Sequence, residues 1–240
     1  HLSGNSKAIL YADDCMIYSH DESPVNALRK VALHLSEINA YYKTWGLKIN
    51  AAKSEAICLR NASGKCARFV VPQSKLLHIS LDGVDIPFKT SIKYLGVNFS
   101  MLMKFNNHGR ILLKKARRMM GMFSSLMNSK YFPKRTKLLL YKVGIRSAIV
   151  YAFPIWFSIS PIVAKELEIC ERKCLRKCID KNYQNHTKRY SNTYIYEQAD
   201  VFLHNSCRQG NDFFAGERTV RPYFQRQLVV IYVLTYARRF

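Results

Sequence analysis

Residues 8–20, AILYADDCMIYSH, set Asp13 and Asp14 side by side inside an otherwise apolar run. The apolar stretches 7–11 and 15–19 read as two short strands, which places the acids at the tip of a hairpin. Adjacent carboxylates repel each other unless a cation neutralises them, so the pair is a candidate for a divalent metal. The competing reading is a solvated turn, because acidic residues are ordinary turn formers. The rest of the chain has to decide between the two.

Immediately downstream, SPVNALRKVALHLSEINAYYKTWGLKIN (23–50) predicts a helix. Ser23 can cap it and Pro24 suits its first turn. Leu28, Val31, Leu35, Ile38, Tyr42 and Trp45 recur at steps of three and four, and Gly46 ends it. A return strand, SEAICLR, follows the polar link NAAK. Residues 61–75 carry no usable pattern. Residues 76–100 read as two or three strands, with Asp82-Gly83 as a hairpin turn and Gly96 allowing a close backbone approach.

From about Asn106 the chain becomes helical and basic. Ile111, Leu112, Ala116, Met119, Met120 and Phe123 fall on one side of a first helix, with Lys114, Lys115, Arg117 and Arg118 on the others. The methionines read as core packing. A second helix, started by Pro133, spans 133–152, and a third runs from about Val163 to Cys178. Past Ile179 the signal fades. Residues 190–208 could hold one more helix, and the end of the chain carries no motif of use. The class is α+β: an antiparallel sheet with a packed helix over 1–100, a basic all-α region over 101–181, and a poorly defined tail over 182–240.

Composition narrows the function. The 240 residues are 48% hydrophobic, enough to bury a core. Lys plus Arg number 38 against 16 Asp plus Glu, a formal charge of +22. No acid occurs between Asp85 and Glu166, while lysines and arginines recur throughout that window. Such segregation points to a polyanionic partner, nucleic-acid phosphate before an anionic membrane. Residues 147–164 are uncharged, but prolines interrupt them, so a buried helix and a turn are expected rather than a membrane span. Seven scattered cysteines without a secretory leader suggest a reducing compartment. Cys170, Cys174 and Cys178 share one helix face. The outer two lie about 12 Å apart along a helix, against about 4 Å between sulfurs on one zinc, so they read as buried apolar positions.

The order of these elements resembles the second half of a reverse transcriptase of the non-LTR retrotransposon type, close to the insect jockey-like elements. YADD is similar to the carboxylate motif of the polymerase palm, GLKINAAKSE (46–55) to the following helix-to-strand motif with its lysine, and IKYLGV (92–97) to the primer-grip strand. NHGRILLKKARRMMGMFSSL (107–126) is similar to the thumb of that family. The similarity covers roughly residues 7–180 and weakens toward 214. It implies a partial palm over 1–100 and a thumb-like domain over 101–181.

It also implies roles. Asp13 would be the main metal ligand of this segment and Asp14 an assistant, for Mg²⁺ or Mn²⁺ in the complete polymerase. Tyr11 would sit by the primer terminus or nucleotide, with packing as its alternative. Lys53 would approach the triphosphate, where an exposed lysine is the plainer reading; Asn50 would shape the link before it. Tyr94, Leu95 and Gly96 would form the grip. Lys114, Lys115, Arg117, Arg118, Lys134, Arg135 and Lys137 would touch the backbone of an RNA template and DNA primer, with deoxynucleoside triphosphates as substrates and no membrane involved. An intracellular location follows, nuclear by resemblance alone.

A palm of this family also draws an aspartate from an upstream strand and nucleotide contacts from a finger region, and no segment here supplies either. The expectation is a fragment of an RNA-directed DNA polymerase that used two-metal nucleotidyl transfer and is silent alone. The alternative is a nucleic-acid-binding remnant without catalysis.

Overall fold

The computed structural model describes residues 6–21, 23–59, 79–179 and 191–200, and the backbone of 228–237. Two compact units result, His1–Lys104 with Glu217–Phe240, and Phe105–Gly216. Mixed helices and small antiparallel sheets make the chain α+β.

In the first unit β1 (Ser6–Tyr11) and β2 (Asp14–Asp21) form the expected hairpin, with Tyr11 paired to Asp14. Cys15, Ile17 and Ser19 of β2 are buried on one face, as the two-residue period of a strand requires. Against them packs α1 (Pro24–Thr44), which buries Ala27, Leu28, Val31, Leu35, Ile38 and Tyr42. Trp45 departs from the expected stripe. It lies just past the helix end and is 69% exposed, because Gly46 at φ +68° turns the chain there. Ser23 holds the cap position but makes no side-chain cap bond. Its backbone N–H donates instead to Asp21 Oδ1 at 2.9 Å, and Lys30 Nζ donates to Asp21 Oδ2 at 2.7 Å.

After α1 come β3 (Lys48–Ile49), a 3₁₀ turn (Ala51–Lys53) and β4 (Glu55–Leu59). β4 is apolar without alternation because both of its faces are covered. Ala56 and Cys58 join the α1 core, while Ile57 and Leu59 meet Ile92, Phe99 and Met103. The stretch expected to hold two or three strands holds four short ones: β5 (Ser80–Leu81), β6 (Val84–Asp85), β7 (Ser91–Tyr94) and β8 (Val97–Ser100). Asp82 and Gly83 at φ +49° and +80° turn the first pair, and Leu95 and Gly96 at +44° and +82° turn the second. Gly96 therefore serves the hairpin turn itself. The patternless segment 61–75 lies outside the described residues.

The largest departure is at the C-terminus. Residues 228–237, LVVIYVLTYA, expected to hold no motif of use, form a strand (Leu228–Ala237, numbered β9) in the middle of the main sheet. Along one edge it pairs antiparallel with β2, Asp14 opposite Thr235. Its other edge takes β3 and then β4, each antiparallel. A ten-residue apolar run without alternation cannot be told from a buried helix by periodicity, which is why the strand escaped reading.

The second unit is helical: α2 (Asn106–Met122), α3 (Ser124–Asn128), α4 (Lys134–Leu140), a π-helical turn (Tyr141–Arg146), α5 (Ser147–Val150), α6 (Phe153–Trp156), α7 (Pro161–Ile179) and α8 (Asn192–Ala199). The buried face of α2 is His108, Gly109, Leu112, Leu113 and Ala116, so Ile111, expected inside, is exposed. Gly109 has a packing reason. A Cβ there would meet Val163 Cγ1 of α7 at 2.8 Å. The three helical cysteines are buried as expected: Cys170 Sγ lies 3.4 Å from Met120 Sδ, Cys174 Sγ 3.8 Å from Met127 Sδ, and Cys178 Sγ donates to the Lys137 carbonyl at 3.5 Å. The uncharged stretch folds as α5, a turn and α6, which buries Trp156 with its Nε1 donating to Tyr151 O at 2.7 Å. Among the described residues no helix is long and apolar enough to cross a membrane.

Candidate functional site

The β1–β2 hairpin places its acids at a two-residue loop. Ala12 takes φ +49° there, a conformation that residues with a Cβ seldom adopt. Asp13 is exposed at the tip, and Asp14 is the half-buried first residue of β2. Alternation along β2 puts Asp14 on the face opposite Cys15, and so away from α1. Among the described residues neither side chain is held by a hydrogen bond or ion pair. In the same unit Asp21 holds Lys30, Asp82 holds Lys43 and Glu55 holds Lys89. A chain with this excess of cations thus leaves its two adjacent carboxylates for something outside the described residues.

Tyr94, at the end of β7, joins them. Burial raises its ionisation above that of an ordinary phenol, and the neighbouring Asp14 and Cys15 add to the rise. Its buried hydroxyl has no hydrogen-bond partner among the described residues. The tip of the β7–β8 hairpin, Leu95-Gly96, follows directly. The β1–β2 and β7–β8 hairpins, distant in sequence, are therefore neighbours at Asp14 and Tyr94. Tyr11 is largely exposed on β1, opposite Asp14. Lys53 is exposed on the 3₁₀ turn, where Asn50 does shape the link: its Oδ1 accepts from Lys53 N at 3.3 Å and its carbonyl from Ser54 Oγ at 2.9 Å. Among the described residues no hydrogen bond or ion pair joins Lys53 to either aspartate.

Magnesium takes oxygen ligands, usually one or two carboxylates with waters and substrate phosphates making up the rest. Asp13 and Asp14 fit one such ion in company with a triphosphate. They do not fit two, since no group of three His, Cys, Asp or Glu side chains able to hold a metal occurs among the described residues. The strand beside Asp14 is β9, and 228–237 contains no acid.

The basic residues divide. Lys114, Lys115, Arg117 and Arg118 are exposed on the side of α2 turned away from its buried face. Arg135 is exposed on α4, and Lys134 Nζ donates to Gln198 Oε1 at 2.6 Å. Lys137 is different. It is 5% exposed, one turn from the other two on the face of α4 that meets α7. That burial withdraws it from any backbone-contacting surface.

A second polar cluster escaped sequence reading. Glu171 is buried in α7, where its carboxylate accepts from the Tyr141 hydroxyl and, at 3.4 Å, from the Tyr196 hydroxyl. Burial and the nearby Glu171 charge push both phenols up, so they remain neutral donors. The π-helical turn begins at Tyr141. No sequence signal marks that turn.

Residues 1–99 match the family model described as reverse transcriptase (RNA-dependent DNA polymerase). This stretch of the chain is similar to that family, as its motifs led one to expect. Three relatives from Drosophila melanogaster agree. "Probable RNA-directed DNA polymerase from transposon BS" is 24% identical over 76% of this chain and 20% of its own length. A 115 kDa protein in type-1 retrotransposable element R1DM is 22% identical over 70% of this chain and 16% of its own. "RNA-directed DNA polymerase from mobile element jockey" is 21% identical over 70% of this chain and 17% of its own. The chain spans a fifth or less of each relative. No solved structure matches it significantly.

Proposed function

We propose that the chain is a palm and thumb segment of a retrotransposon RNA-directed DNA polymerase, which by itself binds a template–primer without extending it. The observation that carries the first half is the pair Asp13 and Asp14, without a hydrogen-bond or ion-pair partner among the described residues at a strand hairpin, and with Tyr94 beside them. In the complete polymerase Asp13 and Asp14 would hold a divalent ion together with the incoming triphosphate, and such an ion would supply charge neutralisation at the phosphates. Lys53 places positive charge near the leaving phosphates. Tyr94, Leu95 and Gly96 position the primer end, and the exposed cations of α2 and α4 hold the duplex by its phosphates without reading sequence.

The second half rests on the sheet. Nucleotidyl transfer between two ions needs a further carboxylate, and the strand lying against β2 offers none. Primer extension by the chain alone, in Mg²⁺ or Mn²⁺, is the test. No product is expected; extension that disappears on Asp13→Ala would refute silence and support the catalytic assignment of Asp13 at once.

A further inference from the structure

The loop between α3 and α4 presents aromatic side chains to solvent. Tyr131 is 96% exposed, beside Phe132 at 37%. A single exposed aromatic is ordinary on a protein surface. Three observations set this one apart. The backbone N–H of Tyr131 donates to Ser129 Oγ at 3.2 Å, which fixes the turn that presents the ring. Lys130, Lys134 and Arg135 bracket it in sequence, and the whole span from 86 to 165 lacks an acid. Lys134 is held by Gln198, a neutral group, so its charge is not cancelled.

The geometry points to Tyr131 as a stacking platform for an unpaired nucleobase of a single-stranded nucleic-acid tail, with Lys130 and Arg135 gripping the phosphates on either side. The inference deepens the template–primer reading and rests on it. An aromatic face accepts any base, while flanking cations supply the sequence-independent attraction. A ring with nearly all its surface in water gains most from such a partner.

The full chain would be titrated with a fluorescently labelled RNA–DNA duplex carrying an unpaired RNA tail, and with the same duplex made blunt. Tyr131→Ala should weaken the tailed probe roughly tenfold and leave the blunt probe unchanged, since loss of one base stack is worth about one to two decades at most. Tyr131→Phe, which keeps the ring, should bind as the parent does. Neither substitution should alter the salt slope, whereas Lys130→Ala should make it shallower. Circular dichroism and thermal unfolding of Tyr131→Ala should match the parent, because the ring packs against so little. Equal affinity of Tyr131→Ala and parent for the tailed probe would overturn the inference, as it would if the ring served a protein partner. An equal loss on both probes would overturn it too. If the parent binds neither probe, the template–primer reading itself falls.

Discussion

A buried imidazole in α1 makes the first unit sensitive to mild acid. His34 in α1 is fully buried, its Nδ1 2.7 Å from Ser6 Oγ. Burial pushes its ionisation below the ordinary imidazole value, and Glu37 opposes this only in part. The unfolded chain then binds a proton that the folded one refuses, so stability is complete above the unfolded value of about 6.5 and declines as pH falls through it. His108 in the second unit is held down by burial in the same sense. The urea midpoint should therefore drop between about pH 7.5 and pH 5.5, and His34→Gln should flatten that dependence. A profile unchanged by the substitution would show that His34 does not carry the effect. The low carboxyls Asp21 and Asp82, held by Lys30 and Lys43, act at lower pH, where protonation releases their lysines.

At the scale of elements, β9 decides how the sheet is held. It supplies hydrogen bonds to β2 along one edge and to β3 and β4 along the other. A proline in its middle, Val233→Pro, removes an amide from a strand bonded on both sides and should cost on the order of a few kcal/mol. Hydrogen exchange would report the change as lost amide protection in β2 and β4, and protection equal to the parent's would deny β9 its central place. The β1–β2 hairpin, α1 and the Asp82-Gly83 turn were legible because each is written in a dozen or so consecutive residues. β9 was not, since Asp14 and Thr235 pair across more than two hundred residues and nothing local selects the partner. The same reason hid Lys137, whose face of α4 is defined by α7, and the nearness of Tyr94 to Asp14. Asp13 and Asp14 could be picked out by residue type alone; which groups surround them could not.

Across the whole molecule, charge rather than shape governs the partner. The chain carries a formal charge of +22, and the exposed cations of α2 face solvent together. Each phosphate neutralised by such a residue releases a counterion, so the logarithm of affinity for an RNA–DNA duplex should fall linearly with the logarithm of salt, by about 0.9 per contact. Replacing Lys114 and Arg118 together with alanine should lower that slope by about two while affecting all sequences alike. Lys137→Met should leave the slope where it is, because a buried ammonium neutralises no phosphate, whatever the substitution does to stability. The three measurements separate two meanings of a basic protein. If the slope is steep and only the α2 pair reduces it, the helices bind phosphate as a defined surface. A slope that does not respond to either substitution would mean diffuse attraction by net charge, and the exposed face of α2 would lose its claim to hold the template–primer.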